Sequence, residues 1–460
     1  VNFLAVSYIY SINLSVLSRF LILVFCFSFG SAFSQTWHPV GNCFYPNDVI
    51  ALEHWNNKLF VSGGANPGCV GPQAANLISF DGFYFDSLKG QVPGGAFDMV
   101  EYNGKLYVAG PFTWVDQNPW PNQTTTNRLA AWDGTNWSSA GIWGINGEIK
   151  ALAVYNNELY AGGYFTQING IPKYAIARWD GNQWRDVGGG LFGGHVTCME
   201  VFNGELYVGG HVGLPGGQPY YYNCVRWNGS QWDSVGGRWG PNWVTSMCVD
   251  TINNLLFIGG GLSFVDTISF WSVIAWNGNN IVNTGRCPTA GALDMEFFNG
   301  EIYVCGTGFN DTVVAKYTGA GWVSFEINPN GGPQTMKVYQ NNLYFGGTFA
   351  QIGTIQTNNI ACYGFTCPQG VGINESGSYP GLFKIFPNPA KNEVTIEFND
   401  KANQNKFKLW LFDATGRQRE ELTFKNKTSL NLLHLPSGIY QIRVCDTQGK
   451  TCHSEKLIVE

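Results

Sequence analysis

A strand-like Leu-Tyr pair, or a close variant, followed by a small residue and glycine recurs seven times, at Leu59-Phe60, Leu106-Tyr107, Leu159-Tyr160, Leu206-Tyr207, Leu256-Phe257, Ile302-Tyr303 and Leu343-Tyr344. An internal repeat constrains a fold strongly, because each copy must be one supersecondary unit that buries its apolar face against the next. Ahead of the pairs run alternating segments that end in Asn103-Gly104, Asn156-Asn157, Asn203-Gly204, Asn299-Gly300 and Asn341-Asn342. These residues tolerate the positive φ that a two-residue type I′ hairpin requires. A variable loop follows each pair, then a third segment ending in Trp132-Asp133-Gly134, Trp179-Asp180-Gly181, Trp227-Asn228-Gly229 or Trp276-Asn277-Gly278. A fourth segment is marked by Trp137, Trp184, Trp232 or Trp322.

Each repeat is thus predicted to be a four-stranded antiparallel meander, the signature of a β-propeller blade. The expected fold class is all-β, a seven-bladed β-propeller plus a small C-terminal Ig-like β-sandwich. The seventh repeat ends at Ile360 to Gly364 without a fourth strand. Trp37-His38-Pro39-Val40-Gly41 matches Trp184-Arg185-Asp186-Val187-Gly188, so the N-terminal strand is expected to complete the last blade and remove an open edge. Leu206-Tyr207-Val208-Gly209-Gly210, with the Trp-Asn-Gly turn and Trp232, resembles the kelch repeat of galactose-oxidase-like propellers. That resemblance implies a scaffold and no particular chemistry. The copper ligands of galactose oxidase have no identifiable counterpart.

Composition supports this reading. Charged residues are 13% and Gly numbers 59, too few solvating side chains and too many glycines for a helical bundle or coiled coil. With a net charge of -6 the chain lacks the basic footprint of nucleic-acid binding, so no nucleic-acid partner is expected.

Arg19, an apolar run and Ser31-Ala32-Phe33-Ser34 look like a signal peptide over residues 1–34, with an over-extended or alternative start. The rival is a membrane anchor over the nearly uncharged residues 3–33. Cleavage is the expectation, leaving no stable transmembrane anchor. Export permits disulfides. Cys445 and Cys452 are the candidate pair, facing each other if Gln448-Gly449 is a hairpin turn. Cys198, Cys248 and Cys305 read as buried apolar residues.

The propeller is expected over residues 35–370 and a linker over 371–381. Residues 382–460 carry net charge +3, against -10 for residues 35–381. Their short alternating segments read as a sandwich. Phe386-Pro387-Asn388-Pro389-Ala390, Asp413-Ala414-Thr415-Gly416, Leu435-Pro436-Ser437-Gly438-Ile439-Tyr440 and Lys456-Leu457-Ile458-Val459 resemble, in order and spacing, the type A C-terminal sorting domain of type IX secretion substrates. The resemblance implies a sorting motif that includes Pro387, Asn388, Pro389, Gly438, Tyr440 and Lys456. It further implies handling by the type IX machinery and release or display outside a Gram-negative bacterium of the Bacteroidota type.

In four-stranded blades the 2–3 and 4–1 connections share one face, and here they are long and aromatic. Trp114, Trp120, Tyr220, Tyr221, Tyr222 and Trp271 lie in the former; Trp143, Trp239 and Trp243 lie in the latter. Flat amphipathic rings suit stacking on a sugar or anchoring a protein, so an extracellular glycan or protein ligand is expected there. The alternative for each ring is that it covers the blade top. The innermost strands bring Glu53, Asp98, Glu200, Asp294 and Glu296 toward the channel, with Lys337 in the last blade; solvated channel acids are the alternative to a cation site. No catalytic residue, cofactor or metal site is assigned: no Gly-x-Ser-x-Gly, phosphate loop or metalloprotease spacing is present. Enzyme activity is left open, and a polysaccharide hydrolase or lyase using channel or loop-face carboxylates is the alternative to a binding module.

Overall fold

The computed structural model describes residues 36–40, 44–65, 76–82, 85–88, 90–116, 124–216, 222–240, 242–265, 268–269, 271–309, 312–325, 331–353, 355–364, 367, 383–398, 406–413, 418–446 and 452–460. Among them every regular element is a β-strand. The signal segment, the linker and the Gln448-Gly449 turn lie outside the described residues. No helix among the described residues is long and apolar enough to cross a membrane.

Among the described residues, seven four-stranded antiparallel sheets follow one another from residue 36 to residue 364. Their first strands are Phe44–Trp55, Asp98–Tyr102, Glu148–Tyr155, Phe192–Phe202, Val244–Asp250, Gly291–Phe298 and Gly332–Tyr339. Each first strand neighbours those of the sheets before and after it, and the seventh neighbours the first. This cyclic order makes the fold propeller-like. Thr36–Pro39 is the outer strand of the seventh sheet, beyond Ile360–Gly364, as the match of its sequence to the other fourth strands predicts.

The turns explain the repeat. Asn103-Gly104, Asn156-Asn157, Asn203-Gly204 and Asn299-Gly300 all have positive φ at both central positions, as type I′ geometry demands. In the seventh sheet Tyr339 pairs with Asn342, so the turn is Gln340-Asn341 and not Asn341-Asn342. The Trp-Asp-Gly turns are closed by the acid: Asp133 Oδ1 accepts from the amides of Thr135 and Asn136, and Asp180, Asn228 and Asn277 repeat the arrangement. The fourth-strand indoles then tie sheet to sheet. Trp184 Nε1 donates to Ala140 O at 3.2 Å and Trp232 Nε1 to Val187 O at 2.9 Å.

The double glycine has a steric cause. A Cβ on Gly209 would collide with Val244 of the next sheet, and one on Gly210 with the carbonyl of His195. The first glycine therefore lets the neighbouring sheet close in. The second makes room for a β-bulge in its own sheet's first strand, where the register shifts between Val196 and Cys198. Gly346 and Gly347 meet Val49 and Gly332 in the same way, carrying the packing from the seventh sheet onto the first.

One disulfide was not foreseen from the sequence. Cys362 and Cys367 form a disulfide, a pair not predicted. Cys445 and Cys452 are ladder partners, as the hairpin reading requires. Cys248 and Cys305 are buried and Cys198 is half-buried.

Residues 383–459 form a three-stranded and a four-stranded sheet. Val394, Ile396 and Leu430 from one, with Leu409, Leu411, Ile442, Val444 and Leu457 from the other, share a single core.

Candidate functional site

On the side away from the Asn turns, four of the 2–3 connections contain small hairpins. These pair Trp114–Val115 with Thr124–Thr125, Gln167–Ile168 with Ile171–Pro172, Phe264–Val265 with Ile268–Ser269, and Gln351–Ile352 with Ile355–Gln356. Bridges from Ile145 to Ile168 and from Trp239 to Val265 bind the neighbouring sheet-to-sheet connections to two of them. Large apolar side chains are exposed on this rim: Trp143 at 73%, Tyr174 at 50%, Phe192 at 44%, Trp271 at 41% and Trp243 at 39%. The Arg286 guanidinium lies 3.9 Å over the Trp271 ring, a cation–π contact that holds the indole in place. Between the third and fourth sheets a pocket of about 350 Å³ is lined by Phe165, Tyr174, Leu191, Phe192 and Pro215 with glycine backbone.

The nominated aromatics divide. Trp143, Trp243 and Trp271 are exposed, Trp114 and Tyr222 are half-buried, and Trp120, Tyr220 and Tyr221 lie outside the described residues. Trp239 is 5% exposed and its Nε1 donates to Val235 O at 2.8 Å. It is core, covering its own sheet, and offers no face to a ligand. Tyr174 and Phe192 were missed by sequence reading; the glycine run from Gly188 to Gly194 around Phe192 was the available signal.

The innermost acids occupy equivalent register positions. Glu53, Glu200, Glu296 and Lys337 stand opposite the aromatic of each repeat pair, and Asp98 and Asp294 opposite Ala109 and Cys305. Among the described residues no group of three or more His, Cys, Asp or Glu is placed to hold a metal ion. The acids bind backbone instead. Asp98 Oδ2 accepts from Leu152 N of the next sheet at 2.7 Å, Asp294 Oδ2 from Met336 N at 2.7 Å, and Glu296 Oε1 from Val338 N at 3.2 Å. Burial pushes Asp98, Glu200 and Glu296 up to about 7, against the pull of backbone amides. Burial also disfavours the charge on Lys337, but Glu53, Glu296 and Asp294 outweigh it and hold the ammonium above its ordinary value.

Arg178 and Arg226 stand at equivalent positions of successive third strands, opposite Tyr160 and Tyr207, and pair with Glu158 and Glu205 of the adjacent second strand. A different cluster spans three sheets on the rim. His195 pairs with His211, ring centroids 5.7 Å apart; Tyr164 lies 4.1 Å from His195, and Trp243 lies 5.5 Å and 5.8 Å from the two imidazoles. Burial, and then His195 itself, hold His211 below the ordinary imidazole value.

In the tail, Asn388 Oδ1 accepts from Ile458 N at 2.9 Å, and Ala390 pairs with Val459 in a parallel bridge. Tyr440 donates its hydroxyl to Pro436 O at 2.8 Å. The backbone of Lys456 pairs with Gln441 and that of Gly438 with Val459. The motif residues thus meet the terminal strand. Residues 384–460 match the family described as the secretion system C-terminal sorting domain.

The chain carries a type IX secretion sorting domain. The sorting domain implies secretion to the cell surface or extracellular space of a Bacteroidota-type Gram-negative bacterium. The structure of the whole chain is similar to that of PorZ, a surface component of the type IX secretion system of Porphyromonas gingivalis, at 14% identity and a TM-score of 0.42, covering 90% of this chain and 59% of that one. It is similar to the extracellular domain of a putative one-component system from B. thetaiotaomicron at 13% identity and a TM-score of 0.43, covering 90% and 57%. For the β-propeller domain of the Trilobed protease from Pyrococcus furiosus the values are 8% and 0.37, covering 66% and 90%. The chain therefore spans under two thirds of the length of the first two. No curated protein matches it by sequence.

Proposed function

We propose that this sorting-domain protein is an extracellular binding module: a seven-bladed, kelch-like propeller over residues 35–370 that recognises a glycan or protein through its aromatic loop face. A linker over 371–381 joins it to an Ig-like type A sorting domain over 382–460. The observation that carries the reading is the gathering of Trp143, Tyr174, Phe192, Trp243 and Trp271, all at least 39% exposed, on the face built from the 2–3 and 4–1 connections. Exposed rings grouped on a rigid scaffold are where binding energy is concentrated. A sugar is the favoured ligand. Indole faces stack on pyranose rings, and the pocket of about 350 Å³ beside Tyr174 and Phe192 joins apolar walls to glycine backbone that can hydrogen-bond hydroxyls.

The test is a glycan array probed with the exported protein, followed by titration of any hit against a Trp143→Ala, Trp271→Ala variant. Saturable binding that the double variant loses supports the reading. Binding that survives it unchanged refutes the aromatic face, and soluble products from a polysaccharide hit would favour an enzyme.

A further inference from the structure

His195 and His211 are direct partners in the antiparallel ladder of Phe192–Phe202 and Glu205–Gly213, at the end away from the Asn203-Gly204 turn. Direct partners in a ladder project their side chains to the same side of the sheet. We propose that His195 and His211 form a two-imidazole site for a borderline divalent cation, Zn²⁺ or Cu²⁺, on the loop rim of the fourth sheet.

Geometry comes first. Two imidazoles that share a metal with N–metal bonds of about 2.0–2.1 Å, at a tetrahedral or somewhat wider angle, place their ring centres roughly 5–6 Å apart. The observed 5.7 Å falls in that range. The rings are also held in place. Tyr164, from the third sheet, packs on His195 with 34° between the planes, and Trp243 completes a nearly equilateral triangle with the two imidazoles. A second, independent observation concerns His195 Nδ1, which is buried and has no hydrogen-bond partner. A buried polar atom left unpaired is costly, and coordination would give this nitrogen a partner.

The chemistry selects the ion. Imidazole nitrogen suits Zn²⁺ and Cu²⁺, whereas Ca²⁺ and Mg²⁺ require oxygen shells. No third His, Cys, Asp or Glu joins the pair among the described residues. The remaining coordination positions therefore fall to water or to a donor atom of an incoming molecule, the open arrangement of a binding site rather than a closed structural one.

The experiment uses the full exported chain, stripped with EDTA and dialysed, with the metal salts alone as probes. Calorimetry should give one equivalent of Zn²⁺ or Cu²⁺ per chain. His195→Gln and His211→Gln should each weaken binding at least tenfold, and the pair should abolish it. Cu²⁺ should quench tryptophan emission, because Trp243 lies 5.5 Å and 5.8 Å from the two imidazoles, and the variant carrying both His195→Gln and His211→Gln should lose that quenching. EPR of the Cu²⁺-loaded wild type needs no variant and should report two coordinated nitrogens. Absence of saturable binding, fewer than two nitrogens, or equal binding by the double variant would overturn the site. None of these readouts depends on the glycan-binding reading, so the two stand or fall separately.

Discussion

Lys337 Nζ lies 2.9 Å from Glu53 Oε2, an ion pair between residues 284 positions apart that joins the last sheet to the first. The two side chains are only 28% and 20% exposed, and Glu296 and Asp294 add to the negative field around the ammonium. Removing one partner of a buried pair leaves an uncompensated charge, which costs about 3–5 kcal/mol when burial is complete. Partial exposure screens the interaction.

Lys337→Met should therefore destabilise the protein by about 1–3 kcal/mol, read as a lower urea midpoint. Adding Glu53→Gln should recover part of the loss, since neither group is then an isolated charge. A double-mutant cycle measures the coupling. Additive effects would show that the pair does not hold the junction.

The carboxyls of Glu200 and Glu296 set a pH dependence of definite sign. Burial raises both from an ordinary 4.5 to about 7 in the folded chain. Below about 4.5 both states are protonated and this contribution is fully present. As pH rises through 7, the folded state must take on a buried charge that the unfolded state carries freely in water, and the contribution is lost. The melting temperature should accordingly fall between pH 5 and pH 8. Glu200→Gln should flatten that fall and raise the melting temperature at pH 8; a wild-type curve that rises over the same interval would contradict the assignment.

Trp37 offers a test of closure. Its ring lies 4.9 Å from Phe345, 5.0 Å from Tyr363 and 5.7 Å from Phe325, so it fastens the N-terminal strand to the seventh sheet. Trp37→Ala should cost roughly 3 kcal/mol and lower the melting temperature by several degrees. A surface control, Trp143→Ala, should not.

Most of the sheet pattern was legible because each local device has a distinct residue signature: Asn at positive φ, Asp closing the Trp-Asp-Gly turn, and paired glycines where backbone approaches closely. The metal-site candidate was not. Counting outward from Asn203-Gly204 with no irregularity places His195 opposite Val212. The bulge between Val196 and Cys198 shifts the register by one and sets it opposite His211 instead, and such a shift leaves no mark in single-residue propensity. The rim hairpins had a partial signal in Asn169-Gly170, whose positive φ values match a two-residue turn. Trp239 misled because an aromatic loop residue reads the same whether its indole faces solvent or, as here, donates to Val235 O.

On the rim, Trp143→Ala and Trp271→Ala should each weaken ligand binding by about 2 kcal/mol or more if they are anchors, without altering the melting temperature. The matched controls are Val201→Ala and Ile252→Ala, apolar residues exposed near the tight turns. Loss of affinity in the controls alone would move the site to the opposite face.

Routing depends on contacts at the terminal strand. Asn388 Oδ1 accepts from Ile458 N, Ala390 N donates to Ile458 O at 2.8 Å, and Glu460 N donates to Ala390 O at 2.9 Å, so the Pro-Asn-Pro segment and the last residues form one structure. Deleting residues 382–460 should strand the remaining chain in the periplasm in folded form, because among the described residues no strand of the seven sheets over 36–364 comes from the tail. Asn388→Ala is the finer probe: it removes the side-chain acceptor while leaving the bridge from Ala390 to Val459. If these contacts form the surface that the secretion machinery reads, this single change should lower the extracellular fraction, measured by immunoblot of cell fractions, while the circular dichroism of the purified chain stays unchanged. Full secretion of the deletion variant would show that the sorting domain does not route this protein. Full secretion of Asn388→Ala alone would place recognition elsewhere in the domain.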